Sequence, residues 1–219
     1  RGEEVWVRFA SYVQPPSIYR YDYDADRLLP YHVPDGGLDP SDYTTQQIWY
    51  ESRDGTRVSM FLTHRVDMQR DGHRPVRLSG YGGFNISVEP GFTAEGAAWL
   101  ALGGVLAFVN VRGGGEYGRA WHEAARKTRR QNAFDDFVAA ARWLVAEGYT
   151  TPARLAARGN SNGGLLVAVS AMQAPDAFGA VFCRVPTLDL LRYPALSLGA
   201  SALEYGAPTD PIEGAYLAG

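Results

Sequence analysis

The chain has 219 residues, enough for one sizeable α/β domain with an independently stable core. Hydrophobic residues make up 46% and aromatics 12%, an ordinary globular composition that excludes a disordered or fibrous chain. The net charge of −3, from 21 basic and 24 acidic residues, offers no electrostatic footprint for nucleic acid.

In chain order, Val5-Trp6-Val7-Arg8-Phe9 alternates at period two, as does Ser17-Ile18-Tyr19-Arg20-Tyr21-Asp22 beyond the Pro15-Pro16 break. These read as two antiparallel strands that need a neighbouring sheet to be stable. The Pro-, Gly- and Asp-rich stretch from Leu29-Pro30 to Pro40 reads as a linker. A hairpin follows, because the strand-like runs Thr45 to Tyr50 and Arg57 to Leu62 flank Asp54-Gly55. The next strand, Arg74 to Leu78, runs straight into Gly80-Tyr81-Gly82-Gly83-Phe84. After a helical stretch over Ala94 to Leu102, Gly104 to Asn110 is a near-continuous apolar run, of the kind covered on both faces in a parallel sheet.

Asn132 to Gly148 predicts an amphipathic helix, with Phe134, Phe137, Val138, Ala141, Leu144 and Val145 at helical spacing and Gly148 as its stop. A strand over Arg154 to Arg158, a helix over Leu165 to Met172 and a strand over Val181 to Val185 complete the pattern. Such alternation implies a doubly wound α/β sheet with right-handed crossovers. The basic cluster Arg126-Lys127-Thr128-Arg129-Arg130 lacks interleaved aromatics and reads as a solvated helix end or loop. Cys183, the single cysteine, rules out an intrachain disulfide framework and permits a reducing compartment. Its apolar surroundings predict a buried structural thiol. No apolar run is long enough to span a membrane, and the first residues form neither a signal peptide nor a methionine start, so the chain reads as a piece of something longer.

The chemistry concentrates at Arg158-Gly159-Asn160-Ser161-Asn162-Gly163-Gly164. Gly-x-Ser-x-Gly is the pattern of a nucleophile elbow, a strained turn that presents a serine between a strand and a helix. Side chains at Gly159 or Gly163 would collide with the backbone there. The bland alternative is a tight turn with an incidental serine, and the flanking strand and helix favour the elbow. An acyl-transfer serine also needs an oxyanion hole, a base and a group to orient the base. The amide of Asn162 is one oxyanion donor, and the Gly80–Phe84 loop supplies a second in the phenolic O–H of Tyr81. The competing reading is that Tyr81 and Phe84 merely fill core.

The base is missing. His32, His64, His73 and His122 all precede Ser161, whereas the hydrolase order places the acid and then the histidine after the serine. His122, beside Trp121, reads as a packing or hydrogen-bonding residue, and Asp189 comes one βα unit too early for the acid. No His/Cys/Asp/Glu cluster has metal-ligand spacing. Arg112 to Gly118 resembles a phosphate cradle but lacks both glycine-fingerprint spacing and a P-loop lysine, so no metal or cofactor is expected.

Four motifs together resemble the prolyl oligopeptidase family of serine peptidases: Gly80 to Asn85, Asn110 to Gly118, Gln131 to Phe137 and Gly159 to Gly164. They stand in the family's order and cover nearly the whole chain. The resemblance implies an α/β-hydrolase catalytic domain capped by a β-propeller, cleaving short peptides after proline through an acyl-enzyme on Ser161. Residues 1–28 would be the end of the propeller with linker strands, and 29–219 a peptidase domain that stops before its triad aspartate and histidine. Tyr81 and Asn162 would form the oxyanion hole, and Phe84 and Tyr205 would line the proline pocket. Thr187 falls where the family has an apolar pocket residue. Asn162 after the serine favours the prolyl branch over the oligopeptidase B, acylaminoacyl-peptidase and dipeptidyl-peptidase branches.

One departure concerns specificity. Gly199 to Gly206 looks one residue short and lacks the tryptophan that stacks on the substrate proline, a contact of about 1 kcal/mol. The implied partners are short peptides and the propeller of the same protein, with no nucleic acid or membrane, in the cytoplasm or, alternatively, the periplasm. The alternatives are a related hydrolase of esters or N-acylated peptides and a non-catalytic hydrolase-fold module that binds partners. The 219 residues alone are expected to be inactive, because an unactivated serine is a poor nucleophile.

Overall fold

The first sheet is small and antiparallel, made of β1 (Val5–Phe9), β2 (Ser17–Asp22) and β3 (Arg27–His32) in sequence order. The computed structural model to which it belongs describes residues 4–196 and 201–218. β1 and β2 lie where the alternation put them. β3 corrects the linker reading, since residues 29–32 are strand and only the following residues connect. Pro30 misled that reading. It is tolerated because β3 is an edge strand and its pairing shifts register between Ile18 and Tyr19, beside the proline. Between β1 and β2 the chain folds back on the second sheet, where the Tyr12 ring stacks on Phe108 at 5.8 Å and packs with Leu100 and Leu106.

The second sheet contains β4 (Tyr43–Glu51), β5 (Arg57–Arg65), β6 (Val76–Gly80), β7 (Val105–Val109), β8 (Leu155–Asn160) and β9 (Ala180–Arg184), in the spatial order β4-β5-β7-β6-β8-β9. The hairpin β4–β5 and the β5–β7 pair are antiparallel, and β7, β6, β8 and β9 run parallel. Helix α1 (Ala94–Ala101) covers one face through Leu100 against Leu106. Beyond α2 (Arg119–Glu123), helices α3 (Gln131–Ala146) and α4 (Asn162–Gln173) cover the other through Phe137, Leu144, Leu165 and Leu166. Short helices α5 (Tyr193–Leu196), α6 (Ala202–Tyr205) and α7 (Pro211–Ala218) follow. The doubly wound sheet expected from the pattern is therefore present. The chain runs from β6 outward to β7, then crosses back to β8 on the opposite side of β6. Strand order thus reverses between β6 and β8, and the crevice at their C-terminal ends is where such sheets bind ligands.

Cys183 is a second correction. It is exposed, because β9 is an edge strand whose every residue is open to solvent. Its thiol donates to the Gly164 carbonyl at 3.2 Å, and partial desolvation pushes it up, away from the reactive thiolate.

The Arg112–Gly118 segment turns its arginine inward. Asp136 in α3 is fully buried and accepts from the Arg112 backbone N–H at 2.9 Å, from its guanidinium at 2.6 Å and from the Ser52 hydroxyl at 2.5 Å. Tyr50 donates to the Asp136 carbonyl at 2.8 Å, and Asp54 holds the outer edge of the guanidinium at 2.5 Å. This ties the β4–β5 hairpin to α3 and to the end of β7. Burial alone would draw the Arg112 proton affinity down, but its bonds to Asp136 and Asp54 raise it on balance.

Asp136→Ala leaves a buried guanidinium partly unpaired, and we expect a loss of about 3–5 kcal/mol in urea unfolding. Asp54 reports on pH. The hydrogen bond from Arg112 lowers its pKa from 3.8 to about 2. A depressed carboxylate stabilises the fold above its unfolded value, and that stability is lost as pH falls from about 4 toward 2. The side chain is 48% exposed, so screening reduces the effect to about 1 kcal/mol. Asp54→Asn should flatten this acid limb of a stability–pH curve while leaving its neutral region's slope unchanged.

Candidate active site

Ser161 joins β8 to α4 with φ 55° and ψ −120°, a left-handed backbone that costs a non-glycine residue about 1–3 kcal/mol. Its N–H donates to the Arg184 carbonyl at the end of β9 at 2.9 Å, and its carbonyl accepts from Gly164 at 2.9 Å and Leu165 at 3.2 Å. The flanking glycines are there for space. A Cβ at Gly159 would run into the carbonyl group of Gly163, one at Gly163 would stand 2.5 Å from the Gly80 carbonyl oxygen, and one at Gly164 2.9 Å from Pro186. The collision expected from the motif is real, and at Gly163 it comes from the last residue of β6.

The loop after β6 carries Tyr81, half-buried, whose phenol lies close enough to the Ser161 side chain to feel it electrostatically. Burial raises the phenol above its ordinary value, only partly countered by the neighbouring Ser161, so it stays a protonated donor near neutral pH. The Tyr81 carbonyl accepts from the Asn162 carboxamide at 2.6 Å. Asn162 is the first residue of α4, where a backbone N–H has no acceptor within its helix and sits in the helix's positive end. Phe84, at φ 57°, meets Tyr205 edge to face with ring centroids 5.6 Å apart. Tyr205 is buried, which lifts its phenol to about 12, and it donates to Asn162 Oδ1 at 2.9 Å.

Five of the six expected site residues therefore meet at the crevice between β6 and β8: Ser161, Tyr81, Asn162, Phe84 and Tyr205. Thr187 lies beyond β9, partly exposed, and no hydrogen bond or ring contact joins it to the others. The stretch expected to lack a tryptophan begins at Gly199 and Ala200, which lie outside the described residues; its remainder forms α6.

Among the described residues no histidine makes a hydrogen bond with Ser161. His32 and His73 are exposed, and His64 is engaged with the Arg65 carbonyl at 2.8 Å. His122 has the hydrogen-bonding role expected of it, with Nε2 2.8 Å from Glu204. Asp189 pairs with Arg192, whose hydrogen bond lowers its pKa. Among the described residues no group of His, Cys, Asp and Glu is placed to hold a metal ion.

The sequence reading missed Arg130 and Glu204. Arg130, which reads with its neighbours as solvated, is 3% exposed, bonded to Glu204 at 3.1 Å and to Asn162 Oδ1. Its neighbours remain outside: Arg126 pairs with Glu123 at 3.1 Å and Lys127 with Glu213 at 2.7 Å. The one available signal was position, since Arg130 directly precedes the amphipathic helix α3, whose apolar face must be buried.

A serine elbow on a doubly wound sheet, facing a donor loop across the switch point, defines an α/β-hydrolase fold. The model of the prolyl oligopeptidase family matches residues 90–217. The prolyl endopeptidase of Elizabethkingia miricola is 39% identical over 212 residues, covering 96% of this chain and 30% of that protein. That of Dictyostelium discoideum is 39% identical over 214 residues, covering 95% and 28%. Among solved structures, a prolyl endopeptidase superposes with a TM-score of 0.91 at 44% identity, covering 98% of this chain and 32% of its own. Prolyl oligopeptidase B from Galerina marginata gives 0.90 at 36%, covering 98% and 31%. The chain belongs to the prolyl oligopeptidase family, and it spans about 30% of the length of these curated relatives.

Gly159→Ala forces the elbow open. We expect it to lower stability by more than about 3 kcal/mol in thermal unfolding, whereas Gly91→Ala, whose Cβ would meet nothing closer than 3.9 Å, changes it by less than about 1 kcal/mol.

Proposed function

We propose that this chain is the nucleophile-bearing part of a serine peptidase that hydrolyses short peptides on the carboxyl side of proline. The observation that carries the proposal is the meeting of Ser161, on its strained turn, with the Tyr81 phenol and the first amide of α4. Ser161 Oγ attacks the peptide carbonyl carbon as a base takes its proton. The Tyr81 O–H and the Asn162 N–H donate to the oxyanion that forms. The tetrahedral intermediate collapses, the amine leaves with a proton, and water hydrolyses the acyl-enzyme. In this reading the base and its orienting carboxylate have to be supplied from outside these residues, and the 219 residues alone are expected to show no turnover.

The edge-to-face pair of Phe84 and Tyr205 offers an apolar wall of the size of a pyrrolidine ring, beside the nucleophile. The names of the relatives, prolyl endopeptidases, support proline as the preferred residue. Residues 4–28 fit the last strands of a β-propeller in the same protein. Trp6, Phe9 and Leu28 of β1–β3 are 46–48% exposed, an apolar surface suited to burial against further strands. Among the described residues no helix is long and apolar enough to cross a membrane. The free Cys183 accords with a reducing, cytoplasmic compartment.

The test compares kcat/KM of the full-length protein on a proline-containing peptide amide and on a simple aryl ester. Phe84→Ala should lower the first about 10–200-fold and the second by less than about 3-fold. Ser161→Ala should abolish both. Equal losses on the two substrates would replace the peptidase reading with an esterase, and activity that survives Ser161→Ala would remove the serine mechanism.

A further inference from the structure

Beneath the elbow lies a closed set of polar side chains that the acyl-transfer chemistry does not use. Asn162 is 0% exposed, and Arg130, Glu204 and Tyr205 are 3% exposed each. Asn162 Oδ1 accepts from the Arg130 guanidinium and from the Tyr205 hydroxyl at 2.9 Å, while its Nδ2 donates to the Tyr81 carbonyl at 2.6 Å. Glu204 holds Arg130 at 3.1 Å and His122 at 2.8 Å, and the guanidinium also lies 5.5 Å from the centre of the Tyr205 ring.

The chemistry fixes the direction of this chain. A carboxamide has an acceptor end and a donor end. The guanidinium has only donors, so it demands Oδ1, and this leaves Nδ2 for the Tyr81 carbonyl. Reversed, the carboxamide would set NH₂ against a cation and oxygen against oxygen, both buried and unpaired, which is costly. The loop is pressed close to this contact, since a Cβ at Gly83 would stand 2.5 Å from Asn162 Nδ2. The main chain at Tyr81 thus rests on a carboxamide whose orientation Arg130 dictates. Burial weakens the proton affinity of Arg130, and Glu204 supplies the compensating charge.

We propose that Arg130 is a positioning residue of the oxyanion hole, acting through the Asn162 carboxamide on the Tyr81 main chain to set the Tyr81 phenol against Ser161. The proposal rests on the reading of Ser161 as nucleophile and Tyr81 as oxyanion donor. A displaced phenol loses most of its effect, because such donors work only within about 0.5 Å of the productive geometry. Glu204 and His122 complete the support by holding the guanidinium in place.

The test is a double-mutant cycle in the full-length protein, with kcat and KM measured on a proline-containing peptide. Tyr81→Phe should lower kcat about 10²-fold. Arg130→Met should lower kcat about 10–100-fold with KM changed less than about 3-fold, the pattern of an interaction made in the transition state. The combined variant should fall no more than about 2-fold below Tyr81→Phe alone, since both changes remove the same donor. Arg130→Lys, which keeps a cationic donor facing Asn162 and Glu204, should recover most of kcat. Additive losses in the cycle, or an unchanged kcat in Arg130→Met, would overturn the proposal. If Tyr81→Phe itself leaves kcat unchanged, the oxyanion reading falls and takes the proposal with it, so the two failures are distinct. Should Arg130→Met not fold, Asn162→Asp serves in its place. It keeps the acceptor for Arg130 but sets an oxygen against the Tyr81 carbonyl, and it must show the same non-additivity with Tyr81→Phe.

Discussion

The site depends on one close approach of two backbones. The turn at Ser161 is pressed against the end of β6 so tightly that Gly163 and the Gly80 carbonyl leave no room for a Cβ between them. The serine is held at φ 55° and ψ −120°. The cost of that conformation, about 1–3 kcal/mol, is offset by main-chain bonds from Ser161 to Arg184 and to Gly164, each worth about 1 kcal/mol. Removing side-chain bulk at Gly159, Gly163 and Gly164 is what allows a strand to become a helix within one residue and leave a hydroxyl standing over the switch point of the sheet.

Two buried arginines then fasten the pieces around α3. Arg112, at the end of β7, reaches Asp136 in the second turn of the helix and so ties in the β4–β5 hairpin. Arg130, immediately before the helix, reaches Asn162 and Glu204 and so ties in the elbow and α6. Each guanidinium is desolvated and each faces a carboxylate, as buried charge requires. Their consequences differ. The first holds the frame on which the crevice is built, and the second fixes the direction of a single carboxamide that bonds to the Tyr81 carbonyl.

Much of this was legible in the sequence because it is local. The Gly-x-Ser-x-Gly run, the Asp54-Gly55 hairpin, the apolar run of β7 and the periodicity of α3 each signal their structure over a few residues. Phe84 and Tyr205, far apart in the chain, were paired only through a family resemblance, and they do meet. What failed was what depends on the sheet as a whole. Pro30 reads as linker until β3 is known to be an edge strand. Cys183 reads as core until β9 is known to be the other sheet's edge. Arg130 reads as solvated among its basic neighbours, because nothing nearby announces Glu204 or Asn162 as partners brought in by the fold.

The central claim is that the elbow and the Tyr81 loop form one oxyanion site over Ser161. The most direct measurement is a crystal structure of the full-length protein after reaction with a peptidyl boronate or phosphonate. The account predicts a covalent bond to Ser161 Oγ, with the tetrahedral adduct's oxygen about 2.7–3.1 Å from both the Tyr81 phenol and the Asn162 amide nitrogen. An adduct on another residue, or one on Ser161 whose oxygen turns away from both donors, would contradict it.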